Sequence, residues 1–205
     1  MFDHRKHNVK IGIRLAFSLR FIDCVISFVP LLLLISSPPP FNQQAKNIAI
    51  ADYQLIQTLC HNSETPETCL KCVQTLNGAD KANSVGIATI IVSCINDHAN
   101  TLAFNMTTLA STTSNQNLKS LYKRCANNYG YHIAKKDLVL TKHALQNHKY
   151  DNAEFYVIKA LKYDLTCHTY LGSYQNKVPF DVFYAMKTYE DLSEAACRII
   201  EKLYV

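Results

Sequence analysis

The sequence predicts an all-α protein: an up-down four-helix bundle preceded by an N-terminal helical hairpin and stabilised by disulfides. Three observations predict it. Apolar residues recur every seven residues in two long stretches, the pattern of helices that bury one lengthwise stripe. Glycines number five and prolines six among 205 residues, too few for the many tight turns of a β-sandwich. Eight cysteines accompany an export-type leader, and an oxidising compartment favours bonding them. With 48% apolar and 18% charged residues, the chain suits one folded domain plus a leader.

Residues 1–40 read as a signal peptide. Arg5, Lys6, Lys10, Arg14 and Arg20 make a basic start, and residues 24–35 form an uncharged run of twelve. As a helix that run spans about 18 Å, short of a hydrocarbon core of about 30 Å. Ser36, Ser37 and three prolines then supply a small-residue exit, so cleavage is expected between residues 36 and 45. The long basic start keeps an uncleaved anchor as the alternative. No second apolar run is long enough to span a membrane, so the mature protein is expected to be extracellular and free of membrane. Of the net charge of +5, the first 45 residues hold five cations against Asp3 and Asp23, leaving 16 basic and 14 acidic side chains. No clustered basic face is visible in that balance, which argues against nucleic acid as a partner.

The domain proper is expected over 45–205. Its hairpin, 45–76, comprises helices at 45–59 and 66–76 joined by 61–65. Thr65, Pro66 and Glu67 form a helix start: a capping hydroxyl, a preset first residue and an acid favoured by the dipole. Helices this short are marginal alone. A link between Cys60 and Cys69 would close a ten-residue loop and stabilise the pair by up to roughly 2–3 kcal/mol.

The bundle is expected over 83–203. In its first helix Ala88, Val92, Ile95, Ala99, Leu102, Met106 and Leu109 step 4, 3, 4, 3, 4, 3; in its last, Val182, Ala185, Tyr189, Leu192, Ala196, Ile199 and Leu203 step 3, 4, 3, 4, 3, 4. Such stripes pack lengthwise at shallow angles. The helix at 117–146 contains a fault. Leu118, Tyr122, Cys125 and Tyr129 are in phase, as are Ala134, Leu138, Thr141 and Leu145, but the step between the two sets is 5 rather than 3, with Gly130 in the gap. Two surplus residues should distort or interrupt the helix there. The next helix, 151–170, opens on Asp151 and Glu154, a capping-box pattern. Its short connection, 147–150, makes the two helices antiparallel neighbours. A polar loop at 172–178 leads to Pro179 and the last helix.

Three motifs carry a resemblance. They are Ile56-x3-Cys60-x2-Ser63-x2-Pro66-x2-Cys69, then Cys125-x3-Tyr129, then Tyr150-Asp151-Asn152-Ala153 continued by Val157-x2-Ala160-Leu161-x5-Cys167. On these the chain resembles the plant invertase and pectin methylesterase inhibitor family across essentially its whole mature length, with Ser63 where the family usually has Thr. The resemblance implies disulfides Cys60–Cys69 and Cys125–Cys167. It also implies a monomeric bundle that blocks a carbohydrate-active enzyme by stoichiometric, non-covalent occlusion of its cleft. From Cys125 to Tyr150 the chain is two residues longer than the family spacing, the surplus already seen in the helical phase. Counting back from Ala134 makes Tyr131, rather than Tyr129, the family tyrosine. Cys72, Cys94 and Cys197 are either buried thiols or supply a third bond between two of them.

Family members that resemble invertase inhibitors carry Pro-Lys-Phe before the fourth motif-bearing helix, and His148, Lys149 and Tyr150 align with it. A cation there can pair carboxylates and an aromatic can stack on sugar faces; the alternative is a solvated turn with Tyr150 as a staple. His148 beside Lys149 also predicts tighter binding at acidic pH, because a protonated imidazole adds charge. Members resembling methylesterase inhibitors use the outer bundle faces instead. The expected target is pectin methylesterase, followed by acid invertase, with a secreted, allergen-like bundle lacking inhibition as a further reading. Asn105-Met106-Thr107 is a glycosylation candidate.

Enzyme readings fare worse. The chain has no Glu-x-x-His pair, Gly-rich phosphate loop, Gly-x-Ser-x-Gly elbow or His-Glu-x-x-His, so neither metal nor cofactor is expected. Cys69-Leu-Lys-Cys72 would be a redox pair, or with Cys60 and Cys94 a zinc site, in a reducing compartment. A small lipid carrier would need Cys-Cys and Cys-x-Cys pairs, and the chain has neither.

Overall fold

A computed structural model describes residues 53–75 and 79–204. The leader, its cleavage site, residues 45–52 of the expected first helix and residue 76 of the expected second lie outside the described residues. Two short helices, α1 (Tyr53–His61) and α2 (Pro66–Gln74), form the hairpin. Cys60 and Cys69 are bonded across it, Cα–Cα 5.5 Å, and the Ser63 hydroxyl donates to the Cys60 carbonyl at 2.8 Å. Pro66 takes the first helical position, but the Thr65 hydroxyl makes no capping bond and is buried without a partner. The Thr68 N–H goes to the Thr65 backbone carbonyl. Cys72, on the buried side of α2, is bonded to Cys94, Cα–Cα 6.1 Å.

After a 3-10 turn (Ala79–Lys81), α3 runs from Ser84 to Thr112, capped by the Asn83 side chain, which accepts from the Gly86 N–H at 2.9 Å. Gly86 is required there, since a Cβ would sit 2.8 Å from that of Ala82. The helices that follow are α4 (Gln116–Asn127), α5 (Leu138–Gln146), α6 (Tyr150–Gly172) and α7 (Phe180–Glu201), and a 3-10 turn, Lys202–Tyr204, closes the described chain. Helix α3 packs on α4 and α7, and α6 packs on α5 and α7, closing a four-cornered bundle onto which α2 docks through α3 and α7. The architecture is all-α, with no strand among the described residues. The seven-residue stripes line the core: Ile95, Ala99, Leu102 and Met106 of α3 face inward with Tyr189, Leu192, Ala196 and Ile199 of α7. Among the described residues no helix is long and apolar enough to cross a membrane.

The fault does not break its helix. Between α4 and α5 lies a ten-residue π-helical stretch, Asn128–Asp137. Bonding i to i+5 puts more residues into each turn, so the surplus is taken up within one continuous rod. Within it Tyr129 is fully buried while Tyr131 is 56% exposed. The core tyrosine is therefore Tyr129, and counting back from Ala134 misleads because the extra residues lie between the two. Helix α6 holds this stretch along its length. Cys125 is bonded to Cys167, Cα–Cα 5.7 Å, and the Tyr129 hydroxyl donates to Asp164 Oδ1. The His132 ring stacks on Tyr163 with centroids 4.9 Å apart. Lys159 donates to Asp137 Oδ1 at 2.9 Å. The pairs run antiparallel, like rungs.

The expected capping box at Asp151 is absent. Helix α6 begins at Tyr150, with Lys149 in the capping position and no side-chain cap. Asp151 lies in the first turn, where its charge favours the positive end of the helix dipole. Glu154 instead accepts from the Tyr204 hydroxyl at 2.9 Å.

Candidate functional site

The turn between α5 and α6 contains the three residues singled out at this position. Helix α5 ends in a pair of reversed bonds: the His148 N–H donates to the Leu145 carbonyl at 3.1 Å, and the Lys149 N–H to the Ala144 carbonyl at 2.9 Å. This is the Schellman pattern, whose central residue must adopt a left-handed conformation and is usually glycine. Here it is His148, at φ 56°, a strained choice for a residue with a side chain. Its Nδ1 lies 2.8 Å from the Tyr150 hydroxyl, a local bond that helps hold the conformation. Tyr150 is half-buried, its ring edge-on to Tyr204 at 6.2 Å, and Tyr204 is in turn fastened to Glu154. Burial holds the Glu154 carboxyl above its ordinary value. The C-terminal turn thus braces the α5–α6 corner, and Lys149 is left exposed beside it.

The outer faces of the bundle offer more surface. Tyr131 and Val139 stand out from the α4–α5 rod, Phe155 from α6, and Phe180 and Tyr184 from α7, all more than half exposed. Lys135, Lys136 and His143 are exposed on the same rod as Tyr131. Asn105 is half-buried within α3, between exposed Phe104 and buried Met106, and the Thr107 hydroxyl donates to the Ala103 carbonyl.

Under the rod lies a polar cluster that sequence reasoning missed. Asp164 is fully buried; one carboxyl oxygen accepts from Tyr129, and the Glu190 carboxylate lies beside the acid. Burial first, and then the nearby Glu190 carboxylate, push its carboxyl well above the usual range. Burial and the neighbouring Asp164 likewise push the Tyr129 phenol up. Glu190 is occupied on its outer side by His168 Nδ1 at 2.8 Å. Tyr129 and Asp164 are both fully buried. The cluster joins helices rather than presenting chemistry. Its signal was available: Val157, Ala160, Asp164, Cys167 and Leu171 step 3, 4, 3, 4, which places an acid on the buried stripe of α6.

The CxxC pair is divided between two disulfides, Cys60–Cys69 and Cys72–Cys94, so it offers neither a dithiol nor a set of thiolates. Cys197, outside the three disulfides, is buried on α7. Among the described residues no group of three or more His, Cys, Asp or Glu is placed to hold a metal ion.

The model of the plant invertase/pectin methylesterase inhibitor family matches residues 54–196. No curated protein gives a significant match. Among solved structures, a mutant form of a pectin methylesterase inhibitor from Arabidopsis is similar at 20% identity and TM-score 0.61, over 71% of this chain and 95% of that one. A second, a pectin methylesterase inhibitor from Arabidopsis thaliana, is similar at 20% identity and TM-score 0.54, over 74% of this chain and 97% of the other. At such identity the likeness is one of fold.

Proposed function

Since this chain belongs to the plant invertase/pectin methylesterase inhibitor family, whose members are inhibitors and not enzymes, we propose that it inhibits a pectin methylesterase. It would act in the cell wall, stoichiometrically and non-covalently, by laying the bundle over the active-site cleft. The observation that carries the choice of target is the backbone at His148. An invertase-type Pro-Lys-Phe would place proline at φ 56°, whereas the proline ring holds φ near −65° and has no N–H. The N–H of His148 here donates to Leu145. Tyr150 is half-buried and drawn toward His148 and Tyr204, so the aromatic of the three is held back while His148 and Lys149 are exposed. The turn is therefore built differently from the tripeptide on which the invertase reading rests. The exposed aromatics of the outer faces support the methylesterase reading instead, since such anchors are enriched where proteins dock.

Invertase is the second reading, favoured by exposed Lys149 next to an aromatic. Mixing the oxidised protein with a pectin methylesterase and an acid invertase at pH 5, and measuring residual activity, separates them. Loss of esterase activity at a 1:1 ratio with invertase unaffected is expected; the reverse result, or no effect on either enzyme, sinks the proposal. Repeating the titration from pH 5 to 7 with His148→Ala tests the imidazole: identical profiles remove it from the interface.

A further inference from the structure

Charge is distributed unevenly among the four corners of the bundle. The continuous rod α4–α5, residues 116–146, carries Lys119, Lys123, Arg124, Lys135, Lys136 and Lys142 against the single acid Asp137, a formal +5. That acid does not offset the outer face, because its side chain is fully buried and paired with Lys159 of α6. Helix α7, at the opposite corner, carries five acids against Lys187 and Arg198, a formal −3, while α3 and α6 each come to −1. The low net charge of the chain conceals this opposition. From Lys119 to Lys142 the cations extend along the rod for roughly 30–35 Å. Midway along, exposed Tyr131 meets His132 edge-on, and His132 stacks on Tyr163.

We infer that this face of the α4–α5 rod binds a linear polyanion of the uronate class, a polysaccharide bearing one carboxylate per sugar. Three observations carry it. The charge is a line rather than a spot, matching a ligand whose charge is also linear. It is almost entirely lysine, which is depleted from the cores of protein–protein interfaces but serves well as a row of mobile point charges against a polyanion. Exposed Tyr131 sits among the cations and offers a ring on which a sugar can rest. The choice of carboxylate over other polyanions rests on the proposed target. Hydrolysis of a methyl ester by water gives methanol and a carboxylic acid that ionises, so methylesterase action turns a neutral polymer into the ligand described. The inhibitor would then collect where its target has already acted, adding retention on the product to occlusion of the enzyme.

The test uses the full oxidised protein with polygalacturonate and with the same polymer fully methyl-esterified. Binding to polygalacturonate alone is expected, weakening at least about tenfold between about 0.05 and about 0.5 M salt as counterion release loses its driving force. The variant Lys123→Gln, Lys135→Gln, Lys136→Gln, all at exposed positions, should lose about tenfold in affinity, while Lys71→Gln, Lys81→Gln, Lys177→Gln, with the same change in net charge, should stay within about twofold. Equal losses in both triples, equal binding to the esterified polymer, or tighter binding to single-stranded DNA of matched charge overturns the inference. Thermal melts of each variant exclude misfolding as the cause. Methylesterase inhibition, assayed on the same preparations, separates the two readings. A protein that holds polygalacturonate but does not inhibit overturns the proposed target alone; one that inhibits without holding the polymer overturns this surface alone.

Discussion

Helix α3 and the α4–α5 rod are neighbours of nearly equal length, yet they are assembled by different means. In α3 all nine buried residues are apolar and the seven-residue pattern runs without interruption. The rod carries two surplus residues, widens into a π-helical stretch, and has polar groups at both ends of that stretch: Tyr129 bonded to Asp164, and Asp137 bonded to Lys159. A regular helix with an apolar seam needs only packing to hold its register. A widened one is rare on its own, and here side-chain tethers and the Cys125–Cys167 bond fasten it to α6 on both sides of the irregularity. Register in this bundle is thus set by hydrophobic phase in one helix and by specific partners in the next.

The largest expected effect would break that comparison outright. Removing Asn100 and Thr101 from α3 rotates everything downstream by about 200° and turns Leu102, Met106 and Ala110, all buried, away from the core. The loss should exceed about 5 kcal/mol, enough to unfold an ordinary domain. Removing Gly130 and Tyr131 from the rod changes the step from Tyr129 to Ala134 from 5 to 3 and restores unbroken phase. That variant should fold, within about 2 kcal/mol of the parent. Far-UV circular dichroism melts compare the two; equal destabilisation would show that the widened stretch is not an absorbed insertion.

A smaller effect is specific to the rod's polar underside. Asp164, held above its ordinary 3.8 by burial and by Glu190, keeps its proton in the folded state at pH values where the unfolded chain has released it. The folded state then binds more protons, so its stability falls as pH rises. The contribution is fully present below the ordinary carboxylate value and is lost as pH rises through the raised one. The Asp164→Asn variant removes this group's titration. Denaturant unfolding between pH 5 and 8 should show the parent losing stability relative to the variant, by up to about 1.4 kcal/mol per pH unit. Parallel curves would mean that Asp164 is ionised throughout. The smallest effect is at Gly130, where a Cβ would meet that of Ala103 at 3.5 Å, an ordinary contact. Gly130→Ala should stabilise by about 0.5–1 kcal/mol, read as a small rise in melting temperature.

Sequence alone revealed α3 and α7 because phase and burial coincide there: Val92, Ile95, Leu102 and Met106 are in step and all buried. It also located the fault at Gly130. The remedy was not legible, because residue counting registers a phase error but not which carbonyl each N–H will choose. Tyr129 and Tyr131 are equally plausible core residues until burial distinguishes them. Caps were misjudged at Thr65 and Asp151 for a related reason: backbone bonds of the preceding turn had already claimed the donors or set the start of the helix. The partner of Cys72 depends on how the hairpin docks on α3, a tertiary fact without a local signature. His148 was noticed for its charge, while its left-handed backbone became evident only through the bonds that close α5.

The π-helical stretch also bears on how this chain is aligned with its relatives. Insertions in helical bundles are conventionally assigned to loops, where a gap disturbs nothing. Here the extra residues are stored inside a rod, between Asn128 and Asp137, so equivalences to an uninterrupted homologue change offset by two in mid-helix. A gap placed in the loop at 147–149 instead would misassign each intervening side chain and exchange the inward Tyr129 for the outward Tyr131. Recognition residues transferred to this protein by sequence alone would be displaced by half a helical turn.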